Sequence, residues 1–182
     1  DASDFTLSGS GVLTFNTTPN FEIPHDSDTN NSYIVQVQVS DGILTDNQTI
    51  TVTVTDVNDA PVITSNGGIA ASISYAENTT STVTTVTSTD VDASSTATYS
   101  ISGTDVDDFT INSTSGVLTF SSNPNLELPT DSNNDNVYTV IVTVTDNGSL
   151  TDTQTITVTV TNVNEAPVIT SNGGGSAASI SY

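Results

Sequence analysis

No lysine and no arginine occur among the 182 residues, and cysteine is absent too. Without basic side chains the chain has no means of gripping nucleic acid or an anionic membrane surface, which recruit clustered Lys and Arg. Without cysteine no disulfide braces it, and without lysine an intramolecular Lys-to-Asn amide crosslink is equally excluded. No apolar run approaches the eighteen or so residues of a membrane-spanning helix, so no membrane insertion is expected of this segment. Helical periodicity is missing as well: no stretch repeats its apolar residues at a convincing 3.6-residue spacing.

What the sequence does hold is acid, hydroxyl and repetition. Asp and Glu number 21, giving a formal net charge of -21, so the natural partner of this surface is a cation. Ser and Thr together number 60 and Asn 18, a profile of polar, β-rich, secreted proteins. Thr49 to Gly68 reads TITVTVTDVNDAPVITSNGG, and Thr155 to Gly174 reads TITVTVTNVNEAPVITSNGG about 106 residues later. Self-similarity on that scale marks an array of like domains. Phe5 aligns with Phe109, Gly11 with Gly116, Glu22 with Glu127, Tyr33 with Tyr138, Asp41 with Asp146 and Pro61 with Pro167. The expected organisation is the C-terminal part of one repeat in residues 1–60, a complete repeat in 61–166, and the first strand region of a following repeat in 167–182, an excerpt of something longer.

Alternation at period two dominates. Val35, Val37 and Val39 face one way and their Gln neighbours the other, and the same holds for Val140, Val142 and Val144, for Ile50, Val52 and Val54, and for Ile156, Val158 and Val160. Strands that bury one face and wet the other belong to antiparallel sheets packed as a sandwich. In the complete repeat the expected strands lie near 62–65 with 72–76, 82–89, 96–102, 109–112, 116–120, 138–146 and 151–161. About seven strands in one repeat predict an all-β fold of tandem Greek-key β-sandwich domains.

The linker Asp56-Val57-Asn58-Asp59-Ala60-Pro61 packs three oxygen-bearing side chains into four positions before a stiffening proline. Calcium takes six to eight oxygens from carboxylates, amides and backbone carbonyls. Taken alone, the linker reads equally well as an acidic turn or as a ligand cluster. Its company tips the balance: Glu77 in Ala76-Glu77-Asn78, Asp90 and Asp92 in TDVDA, Glu127 in LELP, and Asp146 at the end of a strand.

These residues resemble the cadherin repeat, in the form found in long bacterial surface proteins. There an xEN motif, a DxE motif, a DxD motif, an AxD strand end and a DxNDxxP linker surround Ca2+ ions between consecutive domains. The resemblance implies a first joint of Glu22, Asp56, Asn58, Asp59, Asp90, Asp92 and Asp146, and a second of Glu77, Glu127, Asn164 and Glu165. The DxE motif departs from the pattern, reading Asn20-Phe21-Glu22 and Asn125-Leu126-Glu127. The second linker reads Asn162-Val163-Asn164-Glu165, so that joint is expected to bind more weakly or to hold fewer ions. Asp41 would belong to a joint before residue 1.

Two carboxylates 4 Å apart repel by about 4 kcal/mol at an effective dielectric of 20. The expected first joint gathers the acids Glu22, Asp56, Asp59, Asp90, Asp92 and Asp146, so without cations it splays or takes up protons. With Ca2+ the same charges become ligands that lock neighbouring repeats.

Two further acidic loops, Asp26-Ser-Asp28-Thr-Asn30 and Asp131-Ser-Asn133-Asn-Asp135, match the first half of a calcium loop of the EF-hand sort. Val37 and Val142 stand where its closing bidentate Glu belongs, so a solvated turn is the simpler reading. Catalysis finds no footing. His25 becomes Thr130 in the second copy, no Ser sits in a nucleophile elbow, and Asp105, Asp107 and Asp108 read as a solvated loop.

The expected function is therefore that of a calcium-binding extracellular segment, the rigidified stalk of a large surface adhesin or fibre, and not an enzyme. Its partners would be calcium ions, neighbouring repeats and other copies in a fibre. The alternatives are a subunit of a self-assembling filament or matrix and a homophilic or glycan-binding module. The sequence offers no exposed aromatic cluster to argue for a glycan site.

Overall fold

A computed structural model of the chain describes residues 1–171 and 177. The expected opening of a third repeat, 167–182, lies for the most part outside the described residues. Among the described residues the fold is all-β, broken only by short 3-10 turns at Ala2–Asp4, Ser65–Gly68 and Val106–Asp108.

Four strands belong to the leading unit: β1 (Phe5–Leu7), β2 (Leu13–Phe15), β3 (Ser32–Ser40) and β4 (Thr45–Thr53). The following unit contains β5 (Val62–Ile63), β6 (Ala71–Ala76), β7 (Thr84–Thr85), β8 (Ser88–Thr89) and β9 (Thr98–Ser102). It continues with β10 (Phe109–Ile111), β11 (Val117–Phe120), β12 (Val137–Thr145) and β13 (Thr151–Thr161). The first expected strand comes in the two pieces expected of it, and the one expected over 82–89 is split in two. The Ser65–Gly68 turn separates β5 from β6, and β5 pairs with β8 while β6 crosses to run parallel to β13. The split strand gives β7 to β11 and β8 to β5.

Two larger sheets result, ordered β6-β13-β12-β9 and β10-β11-β7, and with the β5-β8 pair they enclose the core. Burial alternates along β12, with Tyr138, Val140, Val142 and Val144 inside. Leu118 from the opposite sheet and Ile156 and Val158 from β13 complete a centre with no solvent exposure. Burying a side chain of this size is worth roughly 1.5–3 kcal/mol, which is how period-two alternation is converted into a fixed sandwich. Gly116 makes one close approach possible. Its φ is +68°, and a Cβ there would collide with the Val86 carbonyl.

The repeat is visible in three aromatic rings. Phe109 and Phe120 stack at 4.6 Å and Tyr138 meets Phe120 edge-on at 5.1 Å. Phe5, Phe15 and Tyr33 reproduce this at 4.5 Å and 5.1 Å. Each tyrosine hydroxyl accepts a backbone amide, that of Thr130 at 3.1 Å and that of His25 at 3.0 Å. Covering differs, however. Val144 is fully buried, whereas its counterpart Val39 is 67% exposed; among the described residues β3 and β4 pair only with each other.

Candidate metal centre

Four chain segments converge where the leading unit meets the complete one. Glu22 comes from the loop between β2 and β3, Asp56 from the linker after β4, Asp92 from the loop after β8, and Asp146 from the end of β12. One carboxylate oxygen from each of Glu22, Asp56 and Asp92 lies within 4.8 Å of the other two, a grouping suited to a metal ion. Glu22 and Asp92 are half-buried and Asp56 is exposed.

Hydrogen bonds fix the surrounding frame. Asp92 Oδ2 accepts the Asp59 amide at 2.9 Å, and the Asp92 amide donates to Asp90 Oδ1 at 3.0 Å. The Ser95 hydroxyl donates to Asp90 Oδ2; together with the Asp92 amide it holds the Asp90 carboxyl below the usual carboxylate range. Asn58 donates its carboxamide N–H to Asp146 Oδ2 at 2.8 Å and to the Asp59 carbonyl at 3.2 Å. Asp146 Oδ1 takes the Leu150 amide at 2.8 Å. Glu22, Asp56 and Asp92 are thus brought together directly, while Asn58, Asp59, Asp90 and Asp146 form the hydrogen-bonded frame around them.

One atom is left over. Asp92 Oδ1 is buried without any hydrogen-bond partner. A buried, unpaired carboxylate oxygen is costly unless a cation satisfies it. The donor set, three carboxylates with an amide oxygen and backbone carbonyls at hand, is all oxygen, as Ca2+ requires. An open depression lined by Asp56, Asn58, Asp92, Ser95 and Asn147 gives solvent access.

The second set is arranged differently. Glu77 is fully buried, and its Oε1 and Oε2 accept the amides of Val163 and Leu126, both at 2.8 Å. Those two bonds hold its carboxyl below the ordinary value. Glu127 accepts from Asn162 at 3.3 Å and Glu165 from Asn78 at 2.6 Å, while Asn164 and Glu165 lie exposed. Glu77 therefore ties the outgoing linker to the loop carrying Glu127, but the described residues form no three-carboxylate group there. Asp41, aligned with Asp146, caps its own turn through the Ile43 and Leu44 amides at 2.9 and 2.8 Å.

Sequence reasoning misjudged several acids. Asp105, read as part of a solvated loop, is only 5% exposed; it accepts the Ser132 amide at 2.9 Å and the Thr139 amide at 2.7 Å. Asp131, read as part of a solvated turn, is 2% exposed and caps its own loop through the amides of Asp135 and Asn136. Asp26 does likewise through Asn30 at 2.8 Å. The signal was in the repeat: Asp1 takes Ser27 and Ile34 at 2.8 and 2.7 Å as Asp105 takes Ser132 and Thr139. Asp107, beside Asp105, has Ser3 as its counterpart. Asp152 on β13 was also missed; it anchors the start of β5 through the Ile63 amide at 2.8 Å.

Solved structures with the same fold include the Drosophila N-cadherin EC1-4, at 22% identity and a TM-score of 0.62 over 89% of this chain and 39% of that one. Mouse cadherin-23 EC22-24 matches at 22% identity and a TM-score of 0.62 over 90% and 51%. Protocadherin gamma B7 extracellular cadherin domains 1-4 match at 19% and 0.59 over 86% and 38%. The chain spans about two-fifths to one-half of the length of these structures. No curated protein sequence matches it. Residues 70–161 match the family described as the cadherin domain, and the chain belongs to that family.

Proposed function

We propose that this chain is a calcium-binding extracellular repeat segment that serves as a stiffened stalk of a large surface adhesin or fibre. The observation that carries the reading is the meeting of Glu22, Asp56 and Asp92, one of whose oxygens, Asp92 Oδ1, is buried and unpaired. Ca2+ would be held there by those three carboxylates, with Asn58, Asp59, Asp90 and Asp146 completing or orienting the set. Bound Ca2+ supplies the positive charge that removes the repulsion among the acids and ties two repeats to one another. Glu77, Glu127, Asn164 and Glu165 would serve a weaker joint at the far end. The repeats run as 1–60, 61–166 and 167–182, and the work is mechanical, not catalytic.

Modules of this kind bind Ca2+ at about 0.1–1 mM, so occupancy follows the medium outside a cell. Small-angle scattering with Ca2+ and with chelator tests the reading. A rigid, elongated particle in Ca2+ that becomes flexible in chelator supports it, with Asp56→Asn and Asp92→Asn flexible in both. Identical dimensions in the two conditions, or no Ca2+ uptake by calorimetry at several millimolar, overturn it.

A further inference from the structure

The loop 26–31, between β2 and β3, buries an acid that its hydrogen bonds do not satisfy. Asp26 is 3% exposed and its Oδ2 takes the Asn30 amide at 2.8 Å, but among the described residues no donor reaches its buried Oδ1. Asn31, 9% exposed, repeats the pattern. Its carboxamide N–H donates to the Phe21 carbonyl at 2.8 Å, while its Oδ1 is buried without a partner. Burial pushes the Asp26 carboxyl up, but the loop's hydrogen bonds, the Asn30 amide first, leave it below the ordinary 3.8, so the buried group is an anion at neutral pH. The chain has no lysine or arginine to pair with it. A buried anion with an unpaired oxygen is costly unless a cation meets it.

A second carboxylate stands at hand. Asp28 is exposed and its Oδ2 takes the Asn30 carboxamide N–H at 2.7 Å, so Asp26 and Asp28 are both fastened to Asn30, one through its amide and one through its side chain. In the complete unit, where β5 to β9 are present, the counterpart Asp131 takes its donors, the Asp135 and Asn136 amides, from within its own loop, and Asn136 Oδ1 is again buried and unpaired. The bonding of this loop is thus self-contained. The two copies differ at the acid: the Asn136 amide closes on Asp131 Oδ1 at 3.1 Å and leaves no carboxylate oxygen unpaired there.

We propose that loop 26–31 is a divalent-cation site inside one repeat, separate from the joint, with Asp26 Oδ1, Asp28 and Asn31 Oδ1 as its protein oxygens and water completing the shell. Two carboxylates, one amide oxygen and water suit a hard ion, Ca2+ or Mg2+. Val37 stands where a closing bidentate Glu belongs, so binding is expected at the weak end of extracellular modules, about 1 mM. Asn31 gives the site a purpose. Besides holding Phe21, the neighbour of Glu22, it accepts the Val54 amide on its carbonyl at 2.9 Å, two residues before Asp56. A cation here stiffens the frame from which Glu22 and Asp56 reach the joint. The two sites share no ligand, so either reading can fail without the other.

The test is heteronuclear NMR of the 182-residue chain carrying Asp56→Asn and Asp92→Asn, which disables the joint, titrated with CaCl2 and separately with MgCl2. Saturable shifts of the Ser27 to Ser32 amides are expected with a midpoint of about 1 mM, and the salt that acts at the lower concentration identifies the ion. Adding Asp28→Asn, at an exposed position, should weaken binding about tenfold, equivalent to about 1.4 kcal/mol. Adding Asp26→Asn should do the same, with dispersed spectra showing that the fold is kept. Asp107→Asn, an exposed acid elsewhere, should change nothing. Shifts that stay linear in salt tenfold past the expected midpoint, or saturable shifts that Asp28→Asn leaves untouched, overturn the proposal.

Discussion

Asn58 and Asp146, 88 positions apart, meet across the joint between the two units, the linker carboxamide donating to the strand-end carboxylate at 2.8 Å. Asp146 is 6% exposed and its Oδ1 takes the Leu150 amide, so Asn58 provides the hydrogen bond to its other oxygen. Replacing Asn58 by Ala strands a buried carboxylate oxygen, a loss of about 1–3 kcal/mol. Urea unfolding in chelator should show that loss in N58A, and no change in the midpoint would disprove the role given to the bond.

Gly148 lies beneath the same carboxamide. A Cβ at that position would collide with the Asn58 side chain, whereas a Cβ at Gly9 meets nothing within 4 Å. Gly148→Ala should therefore push Asn58 off Asp146 and weaken Ca2+ binding about tenfold, equivalent to about 1.4 kcal/mol. Gly9→Ala should leave it unchanged. Calorimetric titration of both variants with Ca2+ separates the two outcomes.

Glu77 holds two backbone amides on one buried carboxylate. Glu77→Ala abandons both the Leu126 and Val163 N–H groups, at about 1–3 kcal/mol each, while Glu77→Gln keeps an acceptor for one of them. The destabilisation should rank Ala above Gln. If the two substitutions shift the urea midpoint equally, the amides are not what holds Glu77 in place.

Acid should undo the fold through the same bonds. The Leu126 and then the Val163 amide hold Glu77 below its ordinary value of 4.5. Burial pushes the Asp105 carboxyl up, but the Thr139 and Ser132 amides outweigh it and leave the group below 3.8. Folding thus favours both ionised forms. Their contribution is complete above the unfolded values and fades as pH falls through the lower folded ones. Unfolding midpoints measured in chelator should decline on acidification below about pH 4.5, with a shallower decline in Glu77→Gln. A midpoint that rises with acid would reverse the sign of this linkage.

Much of the fold was legible because it is written locally. The run Thr151–Thr161 emerges as β13 with the bounds that alternation gave it, and Val140, Val142 and Val144 point inward as their spacing requires. The two pieces of the first strand were legible, but the separate partners they take were not. These depend on the Ser65–Gly68 turn, where Asn66 and Gly67 take left-handed backbone angles, and on residues far along the chain. Nor could Asp105 be told from Asp107, since burial of an acid is decided by which amides stand nearby in space. Only its recurrence at Asp1 marked it.

By itself the sequence determined the strands, the repeat and an excess of oxygen ligands over any basic partner, because side-chain alternation and net charge need no knowledge of distant residues. The tertiary structure alone decided which acids meet. Glu22, Asp56 and Asp92 come from separate loops, and their approach depends on how two sandwiches are set around one linker. The same decision left Asp92 with an unsatisfied oxygen, which is defined by the absence of a contact in space and which no local pattern records.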